Sequence, residues 1–119
     1  MLSYIGQDCG GTFKNATGAF TSPNYPSDYP RRSDCVWIIA VPNSESYSVE
    51  IVDFATEQDY DILSFGTGTT EDVNTIDTLS GTVIAITIPI QSSSIWFHFT
   101  SDNNVAAKGF SIAWTAQGI

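Results

Sequence analysis

Three carboxylates fall within five residues of this chain, at Glu57, Asp59 and Asp61. They come just after a strand-like apolar run that ends in Phe54. Like charges this close together repel each other unless a positive charge lies between them. A further acidic residue, Asp102, follows a second strand-like run. If the fold brings the ends of the two runs together, these acidic residues predict a cation site.

The composition predicts one all-β domain. A chain of 119 residues is long enough for a core that buries roughly two-thirds of the surface of the unfolded chain, so we expect a single domain over residues 1–119. Val, Ile, Phe, Tyr, Trp and Thr are abundant, and no window keeps apolar residues at the three- and four-residue spacing of a helix. Residues of these types favour β-strands.

The charge of the chain limits its partners. Acidic residues outnumber basic ones by thirteen to four, which gives a net charge of −9. This charge argues against a nucleic acid or an anionic membrane surface as the partner, and it favours cations and basic ligands. The longest apolar run, residues 83–88, is far too short to span a bilayer, so we expect no membrane insertion.

The two cysteines, Cys9 and Cys35, do not have the spacing of a metal site. An even number of cysteines in a small domain that is rich in Ser and Thr and poor in Lys suits one disulfide, formed in an oxidising compartment. Two buried free thiols are the alternative. A disulfide favours a secreted protein or the extracellular part of a larger one.

Short strands must position the acidic residues. Residues 35–40 alternate in the manner of a strand with one face in the core, and residues 47–54 alternate until the pattern breaks near Val52 and Asp53. That break indicates a β-bulge or a change of burial. Residues 83–88 are β-branched on both faces, which predicts a buried strand.

The second half of the chain continues this pattern. Residues 95–100 and 110–114 alternate cleanly, whereas residues 71–80 predict a loop with an edge strand. Eight or so short strands with frequent turns predict an antiparallel β-sandwich.

One modification site is predicted near the start of the chain. Asn15-Ala16-Thr17 is an N-glycosylation sequon, and it lies in a hairpin-like turn between two short strands, where an acceptor asparagine would be accessible. An asparagine that serves only the turn is the alternative.

With these segments in place, the chain resembles the CUB domain family, a family of extracellular β-sandwich modules. The resemblance covers nearly the whole chain and rests on six motifs, each weak alone but specific in this order. The motifs are Cys9-Gly10-Gly11, Ser22-Pro23-Asn24-Tyr25-Pro26 with Tyr29-Pro30, Cys35-Val36-Trp37-Ile38, Tyr60-Asp61-Ile62-Leu63, Phe99-Thr100-Ser101-Asp102 and Lys108-Gly109-Phe110.

The resemblance implies a jelly-roll-like sandwich of two sheets and a disulfide between Cys9 and Cys35. The second disulfide of the family has no cysteines here, so residues 61–81 have no covalent staple. The resemblance also implies a calcium site in which the Tyr29 hydroxyl orients a carboxylate. A carbonyl near Asn103 and waters would complete the six to eight oxygens that calcium takes. The carboxylate ligands would be Glu57, Asp61 and Asp102.

Two alternatives for this site stay open. Asp59 could replace Glu57 as a ligand, because the loop between Glu57 and Asp61 is shorter than in the family. The acidic stretch could also be a solvated loop with no metal, since runs of charge commonly face solvent.

The resemblance implies an extracellular protein-recognition module in which calcium organises the loops and a carboxylate receives a Lys or Arg of the partner. A carbohydrate-binding domain is an alternative, with Trp96 as the platform for a glycan. A structural or oligomerisation module without a metal is another. We do not expect an enzyme, because the lone histidine, His98, points outward from a strand and no serine near it lies in a nucleophile-elbow motif.

Overall fold

The computed structural model of the chain describes residues 9–118 and contains nine β-strands there, with no helix. The strands are β1 (Gly11–Phe13), β2 (Thr17–Thr21), β3 (Asp34–Ile39), β4 (Ser46–Ala55), β5 (Ile62–Thr67), β6 (Thr75–Leu79), β7 (Ile86–Ile90), β8 (Ile95–Thr100) and β9 (Gly109–Gln117). They form a five-stranded sheet in the order β1-β3-β8-β5-β6 and a four-stranded sheet in the order β2-β9-β4-β7. Every strand pair except β1 with β3 is antiparallel. The predicted two-sheet β-sandwich is confirmed.

The core between the sheets is rich in aromatic rings. In β3 the residues that alternate inward, Cys35, Trp37 and Ile39, are all buried, as the sequence pattern predicts. The ring of Phe110 in β9 stacks on Phe54 of the same sheet at a centroid distance of 5.6 Å. Aromatic pairs of this kind add to the stability that buried area provides.

Strand β4 contains the predicted bulge. Its register with β9 shifts between Ile51 and Asp53, so that Val52 is left exposed while Ile51 and Phe54 are both buried. The extra residue restores an inward orientation at the end of the strand, just before the acidic stretch begins.

The predicted hairpin around Asn15 is wrong. Strand β1 lies parallel to β3 in one sheet, and β2 pairs with β9 in the other. The two strands therefore separate at Asn15, with Phe20 buried in the core and Phe13 partly buried against it. Asn15 itself is exposed, and its carbonyl oxygen accepts a hydrogen bond from the indole of Trp114 at 3.0 Å.

The predicted buried strand over residues 83–88 is also wrong. The strand there is β7, which begins at Ile86 and lies at the edge of the four-stranded sheet. Ile84 is 83% exposed, and Pro89 lies within β7. Because proline lacks an N–H group, it fits an edge strand and disfavours a central one. In the five-stranded sheet, the edge strand predicted within residues 71–80 is confirmed as β6.

Cys9 and Cys35 form a disulfide, and their α carbons lie 5.4 Å apart. The predicted pairing is thus confirmed, and the alternative of two free thiols is wrong. Within residues 9–118, no helix is long and apolar enough to cross a membrane.

Candidate functional site

One end of the sandwich brings the predicted acidic residues together. Thr100, the last residue of β8, lies in register between Asp34 at the start of β3 and Ile62 at the start of β5. The segment before β5 therefore meets the segment that follows β8. The end of β4 contributes from the other sheet, since Glu57 follows it by two residues.

Three carboxylates form a compact group at this end, which we call the carboxylate cluster: Glu57, Asp61 and Asp102. One oxygen from each lies within 4.8 Å of the others. Asp59 is exposed and does not belong to the group. The structure thus favours Glu57 over Asp59 as the third member of a site.

Asp61 is the buried centre of the cluster, with none of its surface exposed. Its Oδ1 accepts a hydrogen bond from the main-chain N–H of Asp102 at 2.9 Å, and its Oδ2 accepts one from the Tyr29 hydroxyl at 2.5 Å. Its own N–H donates to the carbonyl of Glu57 at 3.0 Å. Asp61 therefore joins all three segments that build the site.

The Tyr29 side chain contacts the cluster through Asp61. Its ring is 2% exposed and packs edge-on against Phe99 at 5.0 Å. Its hydroxyl donates to Asp61 and accepts the main-chain N–H of Glu57 at 3.2 Å. Burial raises the pKa of Tyr29 well above its usual range, and the hydrogen bond to Asp61 raises it further. The hydroxyl therefore remains a donor that fixes the carboxylate.

The turn between Glu57 and Asp61 is held by hydroxyl groups. Thr56 Oγ1 donates to the carbonyl of Asp61 at 2.8 Å and accepts the N–H of Gly81 at 3.2 Å. The N–H of Asp59 donates to Ser80 Oγ at 3.0 Å. These bonds tie the turn to residues 80–81, in the region where the sequence lacks a second disulfide. Sequence reasoning missed Thr56 because a single threonine beside a strand carries no motif.

The Asp102 segment is held by its neighbours. The carbonyl of Asp102 accepts the N–H of Arg32 at 2.9 Å, and its Oδ1 accepts the N–H of Asn104 at 3.0 Å. Arg31 Nε donates to the carbonyl of Asn104 at 2.8 Å. Asn103, whose carbonyl is a predicted ligand, lies in the exposed part of this loop.

One buried oxygen atom of the carboxylate cluster lacks a hydrogen-bond donor in the described part of the chain. Glu57 Oε1 is sealed from solvent and has no hydrogen-bond donor within residues 9–118. Burial raises the pKa of Glu57, and the nearby charges of Asp102 and Asp61 raise it further. Both effects penalise the ionised form of the glutamate unless a positive charge lies between the carboxylates. The donor set contains only hard oxygen atoms, and it therefore fits a hard cation such as calcium.

The prediction that Trp96 forms a platform for a glycan is wrong. Its side chain is completely buried, and its Nε1 donates to the carbonyl of Val73 at 2.8 Å. The alternation of β8 directs Trp96 away from the core between the sheets, and there its indole contacts the segment that joins β5 to β6, at Val73. A sugar ring cannot stack on an indole that the chain itself covers.

Comparison with known proteins agrees with the resemblance seen in the sequence. The family model for the CUB domain matches residues 9–114. Fibropellin-3 of Strongylocentrotus purpuratus is 33% identical over 121 residues, which cover 97% of this chain and 21% of that protein. This chain thus spans about a fifth of that relative.

Two solved structures share the fold. The full extracellular region of zebrafish Gpr126/Adgrg6 superposes on this chain with a TM-score of 0.83 at 28% sequence identity. The superposition covers 95% of this chain and 15% of that structure. The crystal structure of the MASP-1 CUB2 domain bound to Ca2+ superposes with a TM-score of 0.79 at 27% identity, covering 91% of this chain and 99% of that one.

Proposed function

This chain belongs to the CUB domain family, and from that premise we propose that it is an extracellular protein-interaction module whose carboxylate cluster binds a structural calcium ion. The family provides interaction modules and is not a family of catalysts. Extracellular placement agrees with the disulfide and with the likeness to an extracellular region of another protein. We propose a secreted protein, or the outer part of a larger one, as the source of this domain.

The buried, unpartnered Oε1 of Glu57 carries the calcium proposal. A carboxylate oxygen without a donor is costly to bury, and two further carboxylates within 4.8 Å add repulsion. Glu57, Asp61 and Asp102 would hold the ion, with a carbonyl near Asn103 and waters as the remaining oxygen donors. The ion would supply the missing positive charge and hold three segments of chain together before a partner binds. Its presence in a CUB domain of MASP-1 supports the same chemistry here.

Calorimetric titration with calcium tests this proposal. We expect one site with a dissociation constant of about 0.1 to 1 mM, the range of extracellular modules. Glu57→Gln should weaken binding at least about tenfold, whereas Asp59→Asn, two residues away, should leave it within about twofold. Equal losses in the two variants would reject Glu57 as the ligand. No binding to the wild-type domain would favour the metal-free structural or oligomerisation module.

We further propose that the loaded site receives a Lys or Arg side chain of a partner protein. Three carboxylates around a divalent ion keep one net negative charge, and the chain as a whole carries −9. A cationic side chain would therefore be attracted to this end of the domain. Partners that approach with exposed Lys or Arg would bind in a calcium-dependent and salt-sensitive manner.

A pair of small probes tests the charge requirement. In saturating calcium, Nα-acetyl-lysine amide, whose side-chain ammonium group is free, should shift the amide NMR signals of residues 57–61 and 102–104. Nα-acetyl-norleucine amide, which lacks the ammonium group, should not. Equal shifts with both probes, or shifts with lysine that persist in Asp61→Asn, would contradict the proposal. If calcium binds but the lysine probe causes no shifts, the metal site is retained and only the proposed recognition of a Lys or Arg side chain is rejected.

Asn15 is a proposed glycosylation site. It is exposed in the connection between β1 and β2, and its sequon ends at Thr17, the first residue of β2. Expression through a eukaryotic secretory pathway should give a product whose mass falls on treatment with an N-glycosidase. The Asn15→Gln variant should show the lower mass without treatment. An unchanged wild-type mass would reject the site.

A further inference from the structure

His98 lies away from the carboxylate cluster, on the face of β8 opposite to the buried Phe97 and Phe99. It is the only histidine in the chain, and its side chain is 17% exposed. Its neighbours in register are uncharged, Val36 on β3 and Ser64 on β5. The charges that act on the ring come from two aspartates, Asp34 of β3 and Asp72 of the segment between β5 and β6. We call these three residues the histidine cluster.

Both ring nitrogens of His98 contact a carboxylate. Nε2 lies 2.7 Å from Asp34 Oδ1, and Nδ1 lies 3.1 and 3.2 Å from the two oxygens of Asp72. An ionised carboxylate can only accept hydrogen bonds, and a neutral imidazole has a proton on only one nitrogen. Two such contacts at once require a proton on each nitrogen. The geometry therefore corresponds to the positively charged form of His98.

Asp72 belongs to residues 68–74, a segment that we call the strap because it crosses the outer face of the five-stranded sheet above Trp96. The carbonyl of Val73 accepts the indole N–H of Trp96 at 2.8 Å. Trp96 is fully buried under this segment. Gly66 makes the arrangement possible, because a Cβ atom there would lie 2.7 Å from the indole ring.

We propose that the strap is pH-responsive: doubly protonated His98 holds it against the sheet through Asp72, and loss of one ring proton loosens it over Trp96. The contact with Asp34 is the shorter of the two, so the remaining proton stays on Nε2. The unprotonated Nδ1 then faces the carboxylate oxygens of Asp72, and the lone pairs of these atoms repel each other. Asp72 of the strap then loses its hydrogen bond to His98, whereas Asp34 keeps its hydrogen bond to Nε2.

The midpoint of the transition follows the pKa of His98, which the surroundings of the ring raise. Burial lowers the pKa of His98, but the hydrogen bonds and charges of Asp72 and Asp34 outweigh burial and raise it overall above 6.5. The strap is therefore attached in mildly acidic solution and loosens as the pH rises through the raised pKa.

Two tryptophan side chains of the chain provide a probe and its control. Indole N–H exchange with solvent, followed by nitrogen-15 NMR, reports opening at Trp96, whose N–H is bound to the strap. The N–H of Trp114 is likewise bound to a main-chain carbonyl, that of Asn15, on the other sheet. The ratio of the two exchange rates cancels the general dependence of exchange on pH. The ring signals of the single histidine give its titration curve in the same samples.

We expect the ratio of Trp96 to Trp114 exchange to rise about three- to fivefold over the pH interval in which His98 titrates, the size expected for one partly exposed ion pair. Asp72→Ala should show the high ratio at every pH. Asp77→Ala, which removes an exposed carboxylate of β6, should behave like the wild type. A flat ratio through the His98 titration would overturn the proposal, as would wild-type behaviour of Asp72→Ala.

A conservative variant covers the case in which Asp72→Ala fails to fold. The amide of Asp72→Asn can accept from the charged ring and donate to the neutral one. We therefore expect a low ratio at every pH in this variant. A pH-dependent ratio equal to that of the wild type would overturn the proposal.

Discussion

The carboxylate cluster and the histidine cluster are two acidic groups that both include residues beside strands of the five-stranded sheet, and they differ in the source of their counter-charge. Around His98, the chain places its own cation between Asp34 and Asp72. Around Asp61, three carboxylates converge, and within residues 9–118 the buried Glu57 Oε1 has no donor. The first group is complete without a ligand, whereas the second lacks a positive charge. Where a fold concentrates like charges, the missing counter-charge identifies the ligand.

The comparison also separates two kinds of response. The histidine cluster gains and loses its charge by protonation, so it depends on pH. The carboxylate cluster would gain its charge from an ion, so it depends on calcium. Each response should be removable without affecting the other, because the two clusters share no residue.

The largest effect should come from removing the centre of the carboxylate cluster. In saturating calcium, we expect Asp61→Ala to lower the free energy of unfolding by about 3 to 4 kcal/mol, because it leaves the buried Tyr29 hydroxyl and the partly buried Asp102 N–H without their acceptor and removes a proposed ligand. Urea denaturation measures this loss. Asp28→Ala, which removes an exposed carboxylate, should cost less than about 0.5 kcal/mol. A loss below about 1 kcal/mol for Asp61→Ala would contradict its central role.

A smaller loss should follow from Tyr29→Phe. This variant keeps the ring packed on Phe99 but removes the donor to Asp61, and we expect a loss of about 2 kcal/mol together with weaker calcium binding. Tyr25→Phe is the matched control, because the Tyr25 hydroxyl donates to Asp53, outside the cluster, at 2.6 Å. That control should leave calcium affinity unchanged. Equal calcium affinities in all three proteins would show that Tyr29 supports the fold and not the ion.

Calcium itself should stabilise the domain. At ten times its dissociation constant, a ligand that binds only the folded state adds about 1.4 kcal/mol, which corresponds to a rise of about 5 °C in Tm for a domain of this size. Asp102→Asn should lose most of this rise, and Asp34→Asn in the histidine cluster should keep it. A differential scanning fluorimetry series measures all three. Loss of the calcium response in Asp34→Asn would show that the clusters are coupled.

The smallest effect should be the pH dependence of the histidine cluster. Because the pKa of His98 is raised in the folded state, its contribution is fully present below the pKa of the unfolded chain, near 6.5, and is lost as pH rises through the folded value. We expect a loss of at most about 1 kcal/mol, given the exposure of both aspartates. Urea denaturation in saturating calcium at pH 6 and 8.5 measures it. His98→Gln should remove the difference, and an equal difference in that variant would assign it to other groups.

Local alternation predicted much of this fold. The bulge in β4 followed from one break in the pattern at Val52, because an extra residue is the simplest way to return Phe54 to the core. Alternation did not distinguish a buried strand from the edge strand β7, since isoleucine and valine occur in both. Pro89 was the informative residue, because its missing N–H disfavours a central position.

The sequence predicted which segments of the chain meet at the candidate site, but it did not predict every side chain that belongs to the site. The sequence placed Asp61 and Asp102 at the ends of strands that antiparallel pairing brings together. It did not decide between Glu57 and Asp59, which lie two residues apart on one turn. The left-handed backbone at Asp59, with φ of 69°, helps to turn the chain there, and only Glu57 joins the cluster. Trp96 was misassigned because its burial depends on the strap, which no periodic pattern marks.

The hydroxyl ties of Thr56 and Ser80 have a consequence for redox behaviour. They hold the turn that carries Glu57 and Asp61 without a covalent bond. A thiol reductant cleaves the link between Cys9 and Cys35 and finds no covalent link to cleave in this turn. The turn of the carboxylate cluster therefore has no redox-sensitive bond of its own.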